Sequence, residues 1–158
     1  MNRLILVDAC NILHRLPSYR ERLAEGIDVL AMQLLNELRP LHDLEHWELH
    51  IVVDGSGQSL DQQFQDDSKT LSILFSPADL SADSIIEKWL LRLGPNWSVS
   101  VASEDRAVCH AALANNAEIL SADALMQWVQ RTLTRFRNQL PSQADSSHKP
   151  FGNLLEGL

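Results

Sequence analysis

Cysteine is scarce in this chain: Cys10 and Cys109 are the only two among 158 residues. They lie far apart and outside any CxxC or Cys/His spacing, so neither a zinc knuckle nor a disulfide framework is indicated. Both read as reduced, small, buried side chains. Long apolar runs are also missing. The best stretches, Leu4 to Val7 and Ile51 to Val53, fall far short of the ~20 residues a membrane span needs, and no apolar h-region of a signal peptide opens the chain. A soluble, cytoplasmic protein with no membrane partner is expected. No GxxxxGK occurs, so a P-loop is excluded. Positive charge is outnumbered, with 13 Lys and Arg against 21 Asp and Glu and a formal net charge of -8. That balance repels nucleic acid at long range. An RNA partner would have to be held by local Arg and Lys around an acidic site.

What is present is a hydrophobic content of 45% in a length suited to one domain. Arg3 to Asp8 is too short for a helix and rich in branched residues, as a buried strand is. From Ser18 to about Leu38 apolar residues recur at helical spacing, and Pro40 is expected to stop that helix. Trp47 to Val53 is a second strand, closed by Asp54-Gly-Ser-Gly57. Gln58 to Ser68 is polar and reads as an exposed loop or a poorly ordered helix. Leu71 to Phe75 is a third strand, and Ser81 caps a helix that Gly94-Pro95 closes. Trp97 to Ala102 and Glu118 to Leu120 are the last strands. Helices follow them from Arg106 to Ala114 and, capped by Ser121, to about Leu140. The polar tail from 141 to 158 contains Phe151, Leu154 and Leu155 as a short segment able to dock. Strand and helix in alternation predict one α/β domain over 1–140, its mostly parallel five-stranded sheet flanked by helices.

Ligands bind beyond the carboxyl ends of the strands in such sheets, and Asp8, Asp54 and Asp105 stand at three of those ends. Asp83 starts the helix after the third strand, and Glu87 is one turn further on its face. Carboxylates about 4–5 Å apart at an effective dielectric near 20 repel by roughly 3–4 kcal/mol per pair. A set of them rivals the whole stability of a domain. Protonation or a hard divalent cation must offset this, and oxygen-only ligands favour Mg²⁺ or Mn²⁺ over zinc. Such an ion suits phosphodiester hydrolysis by an activated water. The plainer alternative is that Asp at a strand end begins a turn or caps a helix.

Four blocks carry a resemblance: Leu4-Ile-Leu-Val-Asp8-Ala-Cys-Asn11-Ile-Leu, Val52-Val-Asp54-Gly, Ser81-Ala-Asp83-Ser-Ile-Ile-Glu87 and Val101-Ala-Ser-Glu-Asp105-Arg106-Ala. In order and spacing they resemble the YacP-like NYN-domain endoribonucleases of the PIN-like superfamily, over about residues 3 to 135. The resemblance implies a Rossmann-like (PIN-like) sheet and RNA cleavage dependent on Mg²⁺ or Mn²⁺. It implies RNA as the partner, with ribosome association among its implications. Asp8, Asp54, Asp83 and Asp105 match the family's metal-binding acids, and Asn11 the Asn of its first motif, able to orient substrate or a metal water. Ala9 and Cys10 stand where the family has Gly and an aromatic. Glu104 replaces a small hydroxyl residue, and the loop after Asp54 is acidic rather than basic.

Arg106, beside the site, is the leading candidate for a phosphate contact, against a structural pairing with one of the acids. Arg15, Arg20, Arg22, Lys69, Arg131 and Arg135 are weaker candidates. Ser103 and Ser121 either hydrogen-bond ligands or cap helices. His42-Asp-Leu-Glu45-His46 matches the letters of the inverted zinc-peptidase motif, but outside the interior of a long helix. Asp54-Gly-Ser56-Gly-Gln58 approaches the adhesion-site motif of von Willebrand A modules, with Gln58 in place of its final Ser. A haloacid-dehalogenase phosphatase would need Asp where Cys10 stands. The main rival is a non-catalytic NYN-like domain that binds RNA or a protein.

Overall fold

The structure is a computed structural model that describes residues 1–140. The tail from 141 to 158, with Phe151, Leu154 and Leu155, lies outside the described residues. Strand β1 (Asn2–Asp8) is central. Leu4 to Val7 are all buried, as a strand covered on both faces requires. It pairs in parallel with β2 (Glu48–Gly57) on one side and β5 (Trp97–Ala102) on the other. Outside them lie β4 (Leu71–Pro77) and β6 (Glu118–Leu120), also parallel. The edge beyond β4 is closed by β3 (Asp61–Phe64), which runs antiparallel. The order is β3-β4-β2-β1-β5-β6, six strands rather than five.

The added strand occupies the segment expected to be an exposed loop or a poorly ordered helix. Its sequence Asp-Gln-Gln-Phe has no apolar alternation, and it pairs through its backbone at an exposed edge. Nothing in side-chain periodicity could announce it.

Alternating residues divide the core into two layers. Ile5, Val7, Ile51 and Ile73 face α1 (Ala9–Arg15), α3 (Ile27–Asp43) and α6 (Ala122–Gln139), meeting Leu34, Leu38, Leu125 and Val129. Leu4, Leu6, Val52, Leu74 and Val101 face α4 (Ala82–Arg92) and α5 (Arg106–Ala114), meeting Ile85, Ile86, Leu90 and Val108.

The helix expected from Ser18 to Leu38 is interrupted. A short α2 (Pro17–Arg20) and a 3₁₀ turn (Leu23–Glu25) precede Gly26, whose φ of 108° breaks the chain before α3. At its far end α3 passes through Pro40 instead of stopping. Leu41 is fully buried and continues the stripe of Leu34 and Leu38, while the carbonyl freed by the proline belongs to the exposed residue Asn36 and is open to water. Packing offsets the lost hydrogen bond.

Candidate active site

The parallel strands point their carboxyl ends at one edge, where α1, α4, α5 and α6 begin. Asp8 ends β1 and is 3% exposed. The buried Ser103 hydroxyl donates to its Oδ2 at 2.9 Å and accepts the Asp105 amide at 3.1 Å. Ser103 is fully buried, so it stands behind the acidic cluster, bracing the Asp8 carboxylate and the Asp105 backbone, and offers no surface of its own to a ligand. Asp105 caps α5, its Oδ1 accepting the amides of Ala107 at 2.9 Å and Val108 at 3.2 Å. Asp54 reaches across to α4 and accepts the Ala82 amide at 2.7 Å. Asp83 sits half-buried in the first turn of α4, which Ser81 caps. Asn11 accepts the Glu104 amide at 2.8 Å, tying the first turn to the loop before α5.

The carboxylates are close enough to feel one another. Burial, opposed by the Ser103 hydroxyl, raises Asp8 to about 6, with the charge of Asp83 adding to it, the Asn11 amide lowering it and Asp54 adding again. That amide lies near Asp8 but does not form a full cap hydrogen bond. Asp83 is raised by burial first, then by Asp105 and Asp54. Half-buried Cys10 and Cys109 are raised as well. Burial leads for both; the charges of Asp54 and Asp8 add at Cys10, and those of Asp105, Glu104 and Asp8 at Cys109. Among the described residues none of the four aspartates forms an ion pair. The negative charge is gathered and left without a paired cation among the described residues.

Glu87 is exposed one turn beyond Asp83 on α4, and its charge is not among those that raise Asp83. Arg106 is exposed in the first turn of α5 and makes no ion pair among the described residues. Ser121 caps α6 by accepting the Ala124 amide at 3.0 Å, and Glu104 accepts the Ala122 amide at 3.3 Å. The Glu at this position therefore has a structural task on the last helix.

The residues of the zinc-peptidase letters diverge. His42 joins Asp43, Thr70 and Asp66, Glu45 binds Trp128 and Arg135, and His46 is exposed. Two contributions were hidden from the sequence. Ser103 is separated from Asp8 by 95 positions, and Ser76 accepts the Gly55 amide at 3.2 Å, fixing the backbone beside Asp54. Only the hydroxyl type at each strand end hinted at them.

The profile of the YacP-like NYN domain matches residues 5–156. The chain belongs to this family. Two crystal structures of Rae1 (YacP) from Bacillus subtilis share its fold. One superposes with a TM-score of 0.69 at 20% identity, covering 98% of this chain and 87% of that one. The other, a W164L mutant, gives 0.70 at 18% identity, covering 87% and 80%. Comparison with curated proteins gives no match.

The donor chemistry of this NYN domain suits a hard cation, since the gathered groups are carboxylates. Among the described residues no three His, Cys, Asp or Glu side chains already close around a common point. Mg²⁺ is commonly held by one or two carboxylates with water and substrate phosphate completing its shell, and an open cluster of this kind fits that mode rather than an all-protein cage.

Proposed function

We propose that this NYN domain is a metal-dependent endoribonuclease that hydrolyses RNA phosphodiester bonds at Asp8, Asp54, Asp83 and Asp105, with Mg²⁺ or Mn²⁺ as the cofactor. The observation that carries the reading is Asp8. Its buried carboxyl is held up to about 6 by burial and by neighbouring aspartates, and no cationic side chain among the described residues relieves it. A structural carboxylate would be paired or solvated. Family membership supports a nuclease as the class of activity.

A divalent cation at these acids would supply charge balance and polarise an attacking water. The chain's own residues supply the rest. Ser103 fixes the orientation of Asp8 and, through the Asp105 amide, the start of α5. Asp54 sets the start of α4 and with it Asp83. Arg106 at the rim offers a guanidinium to a phosphate oxygen. Asn11 holds the Glu104 loop in place, a positioning role.

Cleavage of a labelled RNA in Mn²⁺, wild type beside Asp8→Asn, tests the reading. Loss of cleavage in the variant, with its fold intact, is expected. Equal behaviour of the two proteins would defeat it.

A non-catalytic RNA-binding role is the second reading. It draws on the use of Asp54 and Asp105 as helix caps and on the absence of a closed three-ligand set among the described residues. Binding of RNA by a wild type that never cuts, in either metal, would favour it. Anomalous density beside the four aspartates in a crystal grown with Mn²⁺ would speak for the first.

A further inference from the structure

The layer that carries α4 is only partly roofed. α4 packs on β1, β2 and β4 and leaves the strip beside β3 open. Gln62 and Phe64 pair with Leu74 and Ser72 and so lie on this open face. A groove of about 310 Å³ results, lined by Phe64, Trp89 and Trp97, with Lys69 and Arg92 at its rim. Phe64 is 41% exposed, a large ring left in solvent.

Its floor is polar where a core would ordinarily be apolar. Gln62 Nε2 donates to Ser72 Oγ at 3.0 Å, and Ser72 Oγ lies 2.6 Å from His50 Nδ1. His50 Nε2 lies 2.8 Å from Glu48. With its lone pairs engaged by Gln62, the serine donates to Nδ1, which leaves Nε2–H for the Glu48 carboxylate. These are the letters of a nucleophilic triad, but Ser72 is fully buried and its proton faces the imidazole. No substrate carbonyl can reach it, so nucleophilic catalysis is excluded there.

The rim is held rather than loose. Asp66 accepts the amides of Thr70 at 3.0 Å and Leu71 at 3.1 Å and the Thr70 hydroxyl at 2.6 Å. Lys69 adopts a φ of 60° in that turn, a conformation that costs a non-glycine residue energy. The turn sets its ammonium 5.8 Å from the Phe64 ring centre. In a chain of net charge -8, two cations framing three aromatic rings are a local exception. Stacking surface plus positive charge is what an unpaired base and its phosphate require.

We propose that this groove binds one unpaired nucleotide of a single-stranded RNA, its base stacked among Phe64, Trp89 and Trp97 and its phosphate on Lys69 and Arg92. The proposal rests on RNA being the substrate and adds a second point of attachment. α4 links the two places, with Asp83 in its first turn and Trp89 and Arg92 near its end. At about 1.5 Å per residue Asp83 is roughly 9–14 Å from Trp89 and Arg92 along the helix, while Trp97, in register with Asn2, is six β1 residues or roughly 20 Å from Asp8, a span of roughly three to six stacked nucleotides. The subsite would hold the strand a few nucleotides from the bond that is cut.

The test is equilibrium binding of a short unstructured, fluorescein-labelled RNA in EDTA, so that nothing is cut. Phe64→Ala, Phe64→Tyr and Lys69→Ala are compared with wild type after circular dichroism has shown each to be folded. Phe64→Ala is expected to weaken binding about tenfold, ~1.4 kcal/mol. Phe64→Tyr, which keeps the stacking face, should stay within about twofold of wild type. Lys69→Ala should weaken binding about threefold and flatten its salt dependence. Binding of Phe64→Ala at wild-type strength, no binding by wild type, or equal binding of a duplex would overturn the groove. So would a self-associating wild type whose dimer, rather than its RNA binding, is lost in Phe64→Ala. If the variants bind as expected but wild type with Mn²⁺ leaves RNA whole, the nuclease reading fails and the groove stands. Unaltered variants beside active cleavage give the reverse.

Discussion

Asp8 keeps its proton to about 6, well above an unfolded aspartate. The folded state therefore binds that proton more tightly than the unfolded one, and the group's contribution to stability falls as pH rises from about 4 through about 6. At neutral pH the metal-free protein carries a penalty of up to about 3 kcal/mol from this residue. Asp8→Asn should thus be more stable than wild type at pH ~7.5 in EDTA and lose most of that advantage near pH ~4.5, as urea melts at both values would reveal. A pH-independent difference would contradict the burial argument. Ser103→Ala should cost about 1–3 kcal/mol by stranding Asp8 and the Asp105 amide. It should also shift the acid limb of the cleavage profile upward, because a hydroxyl that lowers the Asp8 pKa is removed. Asp8, Asp83 and Asp105 could be read from the sequence because each sits at a strand or helix end, whereas Asp54, expected to end its strand, lies inside β2, which runs on to Gly57. Their bracing could not, since the partners meet only after the chain has folded back on itself.

Among the elements, β1 and β2 were legible because burial on both faces forces short continuous apolar runs, and β5 through the alternation of Trp97-Ser-Val-Ser-Val. β3 was not, for an exposed edge strand pairs through amides that every residue possesses. The continuation of α3 past Pro40 was hidden by a rule about hydrogen bonds that packing of Leu41 outweighs. The stretch where β2 leaves regular register with β4 yields a prediction. A Cβ at Gly55 would stand 2.1 Å from the Ser76 carbonyl oxygen, a contact with backbone that cannot be tolerated. Gly55→Ala should therefore destabilise the protein by about 1–3 kcal/mol and displace its neighbour Asp54. Thermal melts would report the first effect and weakened stabilisation by Mn²⁺ the second. A variant with wild-type melting would show that β2 and β4 have slack at this point.

For the molecule as a whole, charge is distributed against its expected partner, and RNA must be met through few contacts. Lys69, Arg92 and Arg106 provide three cations on the proposed path, for which log K should fall with log salt at a slope of roughly -2, at about -0.7 per phosphate on a single strand. A slope steeper than about -4 in a salt titration would mean that a further basic surface takes part. The sheet order carries a different consequence. β1 leads the chain yet lies at the centre, and its two neighbours begin at Glu48 and Trp97. During synthesis the first strand must wait until the segment from Trp97 to Ala102 has been made before both of its edges are covered. Asp8 has no Ser103 to hold it and no Asp105 beside it until that point. A nascent or truncated chain ending before residue 97 thus has no assembled acidic centre, and the cleavage proposed for that centre would be acquired late, with β5 and the segment that follows it.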